Sequence, residues 1–317
     1  MPEASIVHDG YGFRCAQLER ALPLALGLDG SAVLEHPGAL PEGWLAAALD
    51  QLFIAAPALT GVTLPWAQWR DEPQALALAL FEAVQCDYLA RDAFWQLPLW
   101  LRGDRTPARP GMQFDDARQL AFPARPPRPQ GEVYRRYDPQ IKRTLSFRVA
   151  DVAQDAARFT RWMNAPRVNA FWEMAGPQAE QENYLRKQLD STYCYPLIGC
   201  FDDEPFGYFE IYWAAEDRIG RHYRWQPFDR GLHMLVGEEQ WRGAHFIRSW
   251  LRGLSHYLWL DEPRTQRLVA EPRFDNQRLF RHLPVAGFET VKEFDFPHKR
   301  SRLVMSLRSR FFSEVGL

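Results

Sequence analysis

Cysteine is scarce in this 317-residue chain: Cys15, Cys86, Cys194 and Cys200 are the four, and no two stand in CxxC spacing. That argues against a disulfide scaffold and against a zinc knuckle, and fits reduced, buried thiols. No apolar run approaches the ~20 residues needed to span a bilayer. The first residues lack a basic stretch followed by an apolar core, so no signal peptide is expected. The cytoplasm, without membrane attachment, is the default setting. Neither charge sign dominates, since the net charge is −2 and arginines alternate with acids along the chain. A nucleic-acid partner is therefore disfavoured. What the chain does have is 46% hydrophobic residues and 14% aromatics, including 12 Trp. This is the composition of a globular protein with a sizeable core, and the length suits two domains.

Proline marks the division. Between Arg105 and Glu132, prolines at 107, 110, 123, 126, 127 and 129 disfavour both helix and sheet. The expected organisation is an N-terminal α/β domain over 1–104, a Pro-rich linker or arm over 105–140, and a second domain over 141–317. In the first domain, Asp29-Gly30 sits between two short apolar runs and reads as a hairpin turn. Apolar spacing predicts helices over Pro41–Pro57 and Glu72–Ala90. No chemical motif stands out there. In the second domain the pattern predicts a strand over 144–151, a helix over 153–166 stopped by Pro166, and a helix over 179–191. Three strands follow, then a helix over 244–260, a strand "RLVAE", a helix from Asn276 and two closing strands.

The stretch "FDRGLHMLVGEEQWRGAHF" (Phe228–Phe246) raises the chemical question. A short apolar strand carries His233 at its centre, and a turn with Gly243 and Ala244 then leads into a helix. Burial disfavours an imidazolium and is expected to lower the pKa of this ring. His233 is either a core histidine satisfied by a backbone carbonyl or a reactive group.

The strand and helix order resembles the GNAT superfamily of acyl-coenzyme A-dependent transferases. The blocks "RWMNAPRVNAFWE", "GYFEIYWAAEDRIGRHY", "FDRGLHMLVGE", "DEPRTQRLVAEPRFDN" and "GFETVKEFDFPHKR" are similar to its siderophore-type branch, over about residues 144–312. The resemblance implies a fold with a mixed sheet flanked by helices and acetyl-coenzyme A as co-substrate, with no metal. It also implies acetyl transfer to the side-chain hydroxylamine of N(6)-hydroxylysine, giving a hydroxamate for siderophore biosynthesis and iron acquisition. The reactive position of the branch falls on His233, with a carboxylate partner at Glu271.

An acyl-coenzyme A site needs a strand edge for the pantetheine amides, backbone N–H donors for the pyrophosphate, and a donor for the thioester oxygen. Met234, Leu235 and Val236 offer the edge. Gln240, Arg242, Gly243, Ala244, His245 and Phe246 form the turn into the helix, with Gly243 and Ala244 permitting close approach. The family loop runs Gln/Arg-x-x-Gly-x-Gly/Ala, and His245 departs from its last place. Asn276 lies near the coenzyme by resemblance, or caps the helix that follows it. Glu271 acts as base, orients His233, caps that helix or pairs with Arg273.

On the acceptor side Tyr208, Glu210 and Tyr212 share one sheet face, and a carboxylate between two phenols suits an α-ammonium group. Trp172 sits beside Glu173 in "FWE". Asp229 and Arg230 bind the polar end of the acceptor or pair with each other. His298 and Lys299 close over the site edge or form a plain surface turn. Hydroxyornithine, a hydroxylated diamine and a longer acyl donor such as succinyl remain open, as does a non-catalytic acyl-coenzyme A-binding scaffold. Contact with a siderophore synthetase or a second copy is also open.

Overall fold

A computed structural model describes residues 30–77, 87–104, 106 and 111–317, together with the backbone of short strands within the first 29 residues. The chain divides into two compact units, Met1–Leu99 with Gly316–Leu317, and Trp100–Val315.

The first unit is α/β, as expected. Strands Leu24–Leu26 and Ser31–Leu34 pair antiparallel, and Ser31–Leu34 then runs parallel to Gly61–Thr63; Asp29 of the expected hairpin turn lies outside the described residues. Gly30 has φ +78°, a conformation glycine adopts without strain. The helix predicted near residue 41 spans Trp44–Ala55 and buries Trp44, Leu45, Leu49, Leu52 and Phe53. The helix expected over 72–90 is not continuous. Pro73–Ala77 is helical, but Tyr88–Ala90 is a strand paired with Gly61–Thr63. Here pairing to a partner strand overrides local helical spacing. Residues 78–86, with Cys86, lie outside the described residues, as does the Cys15 side chain.

The second unit is built on an eight-stranded sheet. Its strands are β1 (Glu132–Asp138), β2 (Arg143–Val149), β3 (Cys194–Phe201), β4 (Glu204–Trp213), β5 (Arg230–Val236), β6 (Arg267–Ala270), β7 (Glu289–Asp295) and β8 (Arg300–Leu307). They lie in the order β1-β2-β3-β4-β5-β6-β8-β7, and β5–β6 is the parallel pair. The Pro-rich segment is more structured than a linker. It carries a hairpin of Met112–Asp115 with Leu120–Pro123, and β1 forms the edge of the main sheet. Proline is tolerated in such edge positions because no ladder donor is required of it. Arg125 anchors the segment through two hydrogen bonds to Glu216, at 2.7 and 2.8 Å, and stacks over Trp213.

Three helices cover one face of the sheet: α1 (Val152–Met163), α2 (Pro166–Trp172) and α3 (Gln178–Asp190). Asp151 caps α1 by accepting from Gln154 N at 2.8 Å. Phe159, Trp162, Met163, Val168 and Leu185 pack there against Ile198, Tyr208 and Leu235. Each large side chain so buried contributes about 1.5–3 kcal/mol. Pro166 ends α1 as expected but also begins α2, because a missing N–H costs nothing in a first turn. The opposite face is covered by α4 (Ala244–Asp261), where Trp250 packs on Phe209. Cys194 and Cys200 are free and buried, as the sequence suggested.

Candidate active site

The site lies where β5 and β6 part. All seven residues of β5 pair with β4, but only Arg230 and Gly231 pair with β6, against Leu268 and Val269. Gly237 N donates to Phe206 O, so Val236 and Gly207 form a non-hydrogen-bonded pair. By alternation, Leu232, Met234 and Val236 turn their N–H and C=O groups away from β4, toward the gap. β6 cannot follow, because Pro272 comes soon after its end. A cavity of about 590 Å³ opens there, lined by His233, Glu271, Glu210, Leu232, Met234 and Trp172 among others.

His233 and Glu271 meet in this gap. His233 Nε2 lies 2.8 Å from Glu271 Oε1, and its Nδ1 lies 2.8 Å from Glu210 Oε2. Glu210 stands directly opposite His233 in the β4–β5 ladder, which places both on one face. A carboxylate only accepts hydrogen bonds. Two ionised carboxylates at bonding distance therefore require an N–H on each ring nitrogen, which is the imidazolium. Burial opposes that charge, but Glu271 and Glu210 outweigh it and raise the pKa to about 10. The expected depression of the His233 pKa is thus reversed by its two neighbours. Burial likewise opposes ionisation of Glu271 and Glu210, yet His233 holds both below the usual carboxylate range.

Aromatic hydroxyls complete the cluster. Tyr212 donates to Glu271 Oε2 at 2.7 Å, and Tyr208 and Tyr184 donate to Glu210 Oε1 at 2.9 and 2.5 Å. Gly231 makes room for Tyr212, since a Cβ there would fall 1.8 Å from the ring. Burial and the adjacent carboxylates push all three phenols above their ordinary pKa, so they stay neutral donors. Asp217, also near Glu271, is pushed up by burial and by that charge.

Several expected site residues take other places. Glu210 is engaged by two phenols and an imidazolium, and Tyr208 and Tyr212 are buried behind the lining, so this trio does not present an open carboxylate to an ammonium group. Asp229 and Arg230 neither line the cavity nor pair with each other. Asp229 accepts from Tyr223, Gln226 N and Arg267, while Arg230 donates to Asp261 and Tyr195. Glu271 pairs with neither Arg273 nor a helix start; Arg273 holds Asp275, and Asn276 caps the short helix Gln277–Phe280 through Leu279 N at 3.2 Å. Trp172, His298, Lys299 and Asn276 do line the cavity, and Lys299 Nζ donates to the Glu271 carbonyl at 3.0 Å.

The turn into α4 passes through Gly243. Gly243 adopts φ +140° at the helix start, and Ile247 N is the first amide bonded back to its carbonyl. The amides of Ala244, His245 and Phe246 have no partner within the helix. Gln240, Arg242, His245 and Phe246 are not part of the cavity lining; Arg242 bonds Glu239, and the His245 ring packs on Phe246. Leu235 is buried in the helix-covered core, and the Val236 carbonyl accepts from Arg167 at 2.6 Å. No cluster of metal-ligating side chains occurs among the described residues.

Arg167, Tyr184, Arg218 and Met174 belong to this neighbourhood without having been singled out in the sequence. Tyr184 had a readable signal: it shares a face of α3 with buried Gln181 and Leu185. Arg167 and Arg218 had none, because an arginine after a helix-starting proline or in a loop looks solvent-facing.

Comparison with known proteins agrees with this geometry. Residues 151–296 match the model of the acetyltransferase (GNAT) domain. A solved structure of an uncharacterized protein from Bacillus halodurans superposes with a TM-score of 0.55 at 26% identity, covering 57% of this chain and 92% of that one. The N(5)-hydroxyornithine:cis-anhydromevalonyl coenzyme A-N(5)-transacylase of Beauveria bassiana is 41% identical over 62% of this chain and 44% of its own. The N(6)-hydroxylysine O-acetyltransferase of Escherichia coli is 65% identical over 100% of both chains. The matched acetyltransferase (GNAT) domain, together with identity of that depth from end to end, shows that the chain belongs to the GNAT acetyltransferases, in the family of the Escherichia coli enzyme.

Proposed function

We propose that the protein transfers the acetyl group of acetyl-coenzyme A to the side-chain hydroxylamine nitrogen of N(6)-hydroxylysine, releasing a hydroxamate and the free thiol. The single observation that carries this reading is the His233–Glu271 contact inside the gap between β5 and β6, in a chain so similar to the Escherichia coli enzyme along its whole length. That relative's name specifies O-acetyl transfer, and the fungal relative's name specifies N(5) transfer. Nitrogen is the better nucleophile of a neutral hydroxylamine, which supports the N-acetyl product.

The residues fit the donor. The unpaired edge of Leu232 and Met234 suits the amides of a pantetheine arm, laid down as an extra strand. The first-turn amides of α4 suit the pyrophosphate. Gly243 brings no side chain of its own to that approach, although the His245 ring lies over it, 3.1 Å from where a Cβ would stand.

In the reaction, the hydroxylamine nitrogen bonds to the acetyl carbon as the carbon–sulfur bond breaks. A hydroxylamine is a weak base and arrives mostly neutral. The proton that becomes acidic after attack passes to Glu271, and it returns to the departing thiolate as the thiol forms. His233 works as a fixed imidazolium that holds Glu271 in place and balances its charge, since neither ring nitrogen has a lone pair free for a proton. An edge N–H of β5 faces the developing oxyanion. Most of the acceleration comes from holding donor and acceptor together. This chemistry keeps the cytoplasmic setting expected from the sequence, where acetyl-coenzyme A is at hand.

The test is to incubate the protein with acetyl-coenzyme A and N(6)-hydroxylysine, follow thiol release, and add ferric ion to the product. A coloured ferric hydroxamate is expected. Thiol release without ferric colour indicates O-acetylation, and no release with any hydroxylated amino acid refutes the proposal.

A further inference from the structure

Besides the His233 imidazolium, four cationic side chains line the cavity: Arg218, Arg273, Lys299 and Arg300. Arg273 is held by Asp275 at 2.7 Å and by the Ala170 carbonyl at 3.0 Å, and Arg300 by Glu293 at 2.8 Å. Arg218 differs. Among the described residues it donates no hydrogen bond to a carboxylate. It forms a loose ion pair with Glu271 Oε1 at 3.5 Å, beyond good hydrogen-bond range, meets His298 Nε2 at 3.4 Å and lies over the Phe296 ring. Its side chain is 48% exposed, so the guanidinium is open to a ligand.

The root of Arg218 is nevertheless fixed. Asp217 accepts from Ile219 N at 3.0 Å, Ile219 is fully buried, and a Cβ on Gly220 would meet the Ala214 carbonyl at 2.6 Å. Lys299 stands close by, for both cations flank the Phe296 ring, at 5.1 and 5.3 Å. One Lys299 donor is engaged by the Glu271 carbonyl, which leaves two. Two cations beside a catalytic carboxylate, with donors to spare, describe a receptor for a carboxylate group.

We infer that Arg218, assisted by Lys299, binds the α-carboxylate of the acceptor and so selects hydroxylated amino acids over hydroxylated diamines. This rests on the function proposed above. A guanidinium fork pairs with a carboxylate through two parallel hydrogen bonds, which fixes direction as well as position. The topology separates this end from the donor. Arg218 follows β4, at the end of the gap where β5 begins, whereas α4 starts beyond the end where β5 finishes. An acceptor held by its carboxylate at Arg218 extends its aliphatic chain past Glu271 toward the thioester.

The experiment compares N(6)-hydroxylysine, its α-amide and N-hydroxycadaverine, which lacks the carboxylate, on the wild-type protein and on Arg218→Met. The wild-type protein is expected to prefer the amino acid over both analogues through KM. In Arg218→Met the KM for N(6)-hydroxylysine is expected to rise about 30- to 100-fold, collapsing the preference, with the KM for acetyl-coenzyme A within about twofold. The ratio between acceptors isolates the effect, because any influence of Arg218 on Glu271 falls on all of them alike. Equal turnover of the three acceptors by the wild-type protein overturns the inference while leaving the function intact, and needs no variant that folds. So does an unchanged ratio in Arg218→Met, or a rise confined to the KM for acetyl-coenzyme A. Failure to acetylate any of the three overturns both.

Discussion

His233 Nε2 and Glu271 Oε1 stand 2.8 Å apart across two parallel strands that have already begun to separate. If Glu271 receives the proton, Glu271→Gln removes the acceptor and keeps the shape. A loss of about 10²–10⁴ in kcat/KM is expected, with the Kd for coenzyme A little changed. His233→Asn leaves two buried carboxylates facing each other, and should lower both activity and Tm. Thiol-release kinetics with calorimetric coenzyme binding check the pair; an active Glu271→Gln removes Glu271 from the proton path.

The charge of His233 has a signature in pH. Folding raises its pKa from about 6.5 to about 10, so its contribution to stability is complete below the first value. That contribution declines as pH climbs and is gone beyond the second. The depressed Glu271 and Glu210 contribute in the opposite sense: present above their unfolded values, lost as pH falls through the folded ones. Thermal melts should therefore show stability falling on the alkaline side, less steeply in Glu210→Gln. By NMR the His233 ring should stay protonated from about pH 5.5 to 8.5. A ring titrating near 6.5 contradicts the imidazolium.

Tyr212 and Gly231 are coupled, because the phenol lies over the glycine and reaches Glu271 at 2.7 Å. Tyr212→Phe should cost about 1–3 kcal/mol by leaving a buried carboxylate short of a donor. Gly231→Ala drives a methyl into the ring and should lower both Tm and kcat. Denaturation curves and initial rates measure both, and a neutral Gly231→Ala would show that the ring has room to move.

Arg167 joins α2 to the end of β5 through the Val236 and Gly237 carbonyls, and it also pairs with Glu239. Arg167→Ala frees the turn that leads to α4. The KM for acetyl-coenzyme A should rise about 3- to 10-fold, while the KM for the acceptor stays put. Steady-state kinetics with each substrate varied in turn gives the answer.

The second unit was largely legible because its signals are local. Alternation in "TLSFRVAD" and "GYFEIYW" and helical spacing in α1, α3 and α4 all appear where expected. The shared face of Tyr208, Glu210 and Tyr212 was legible, but Glu210 facing His233 was not, because it follows only from the β4–β5 register. Partnership was not legible. Asp229 and Arg230 look like a pair, but successive strand residues point to opposite faces and each finds a distant partner. The protonation of His233 depends on two carboxylates 23 and 38 residues away, which no local pattern encodes. Tyr88–Ala90 reads as the end of a helix until its partner strand is known.

The parallel junction of β5 and β6 rests on two residue pairs, so the sheet is stitched there by far less main chain than along its antiparallel seams. The five-strand leaf and the three-strand leaf can thus tilt against each other about that seam without breaking either ladder. His233 rides on one leaf and Glu271 at the end of the other, so a small tilt stretches the bond between them. Reactivity and mechanical compliance then share one crease in the molecule, and amide exchange should be fastest along it until a donor's pantetheine arm fills the opening.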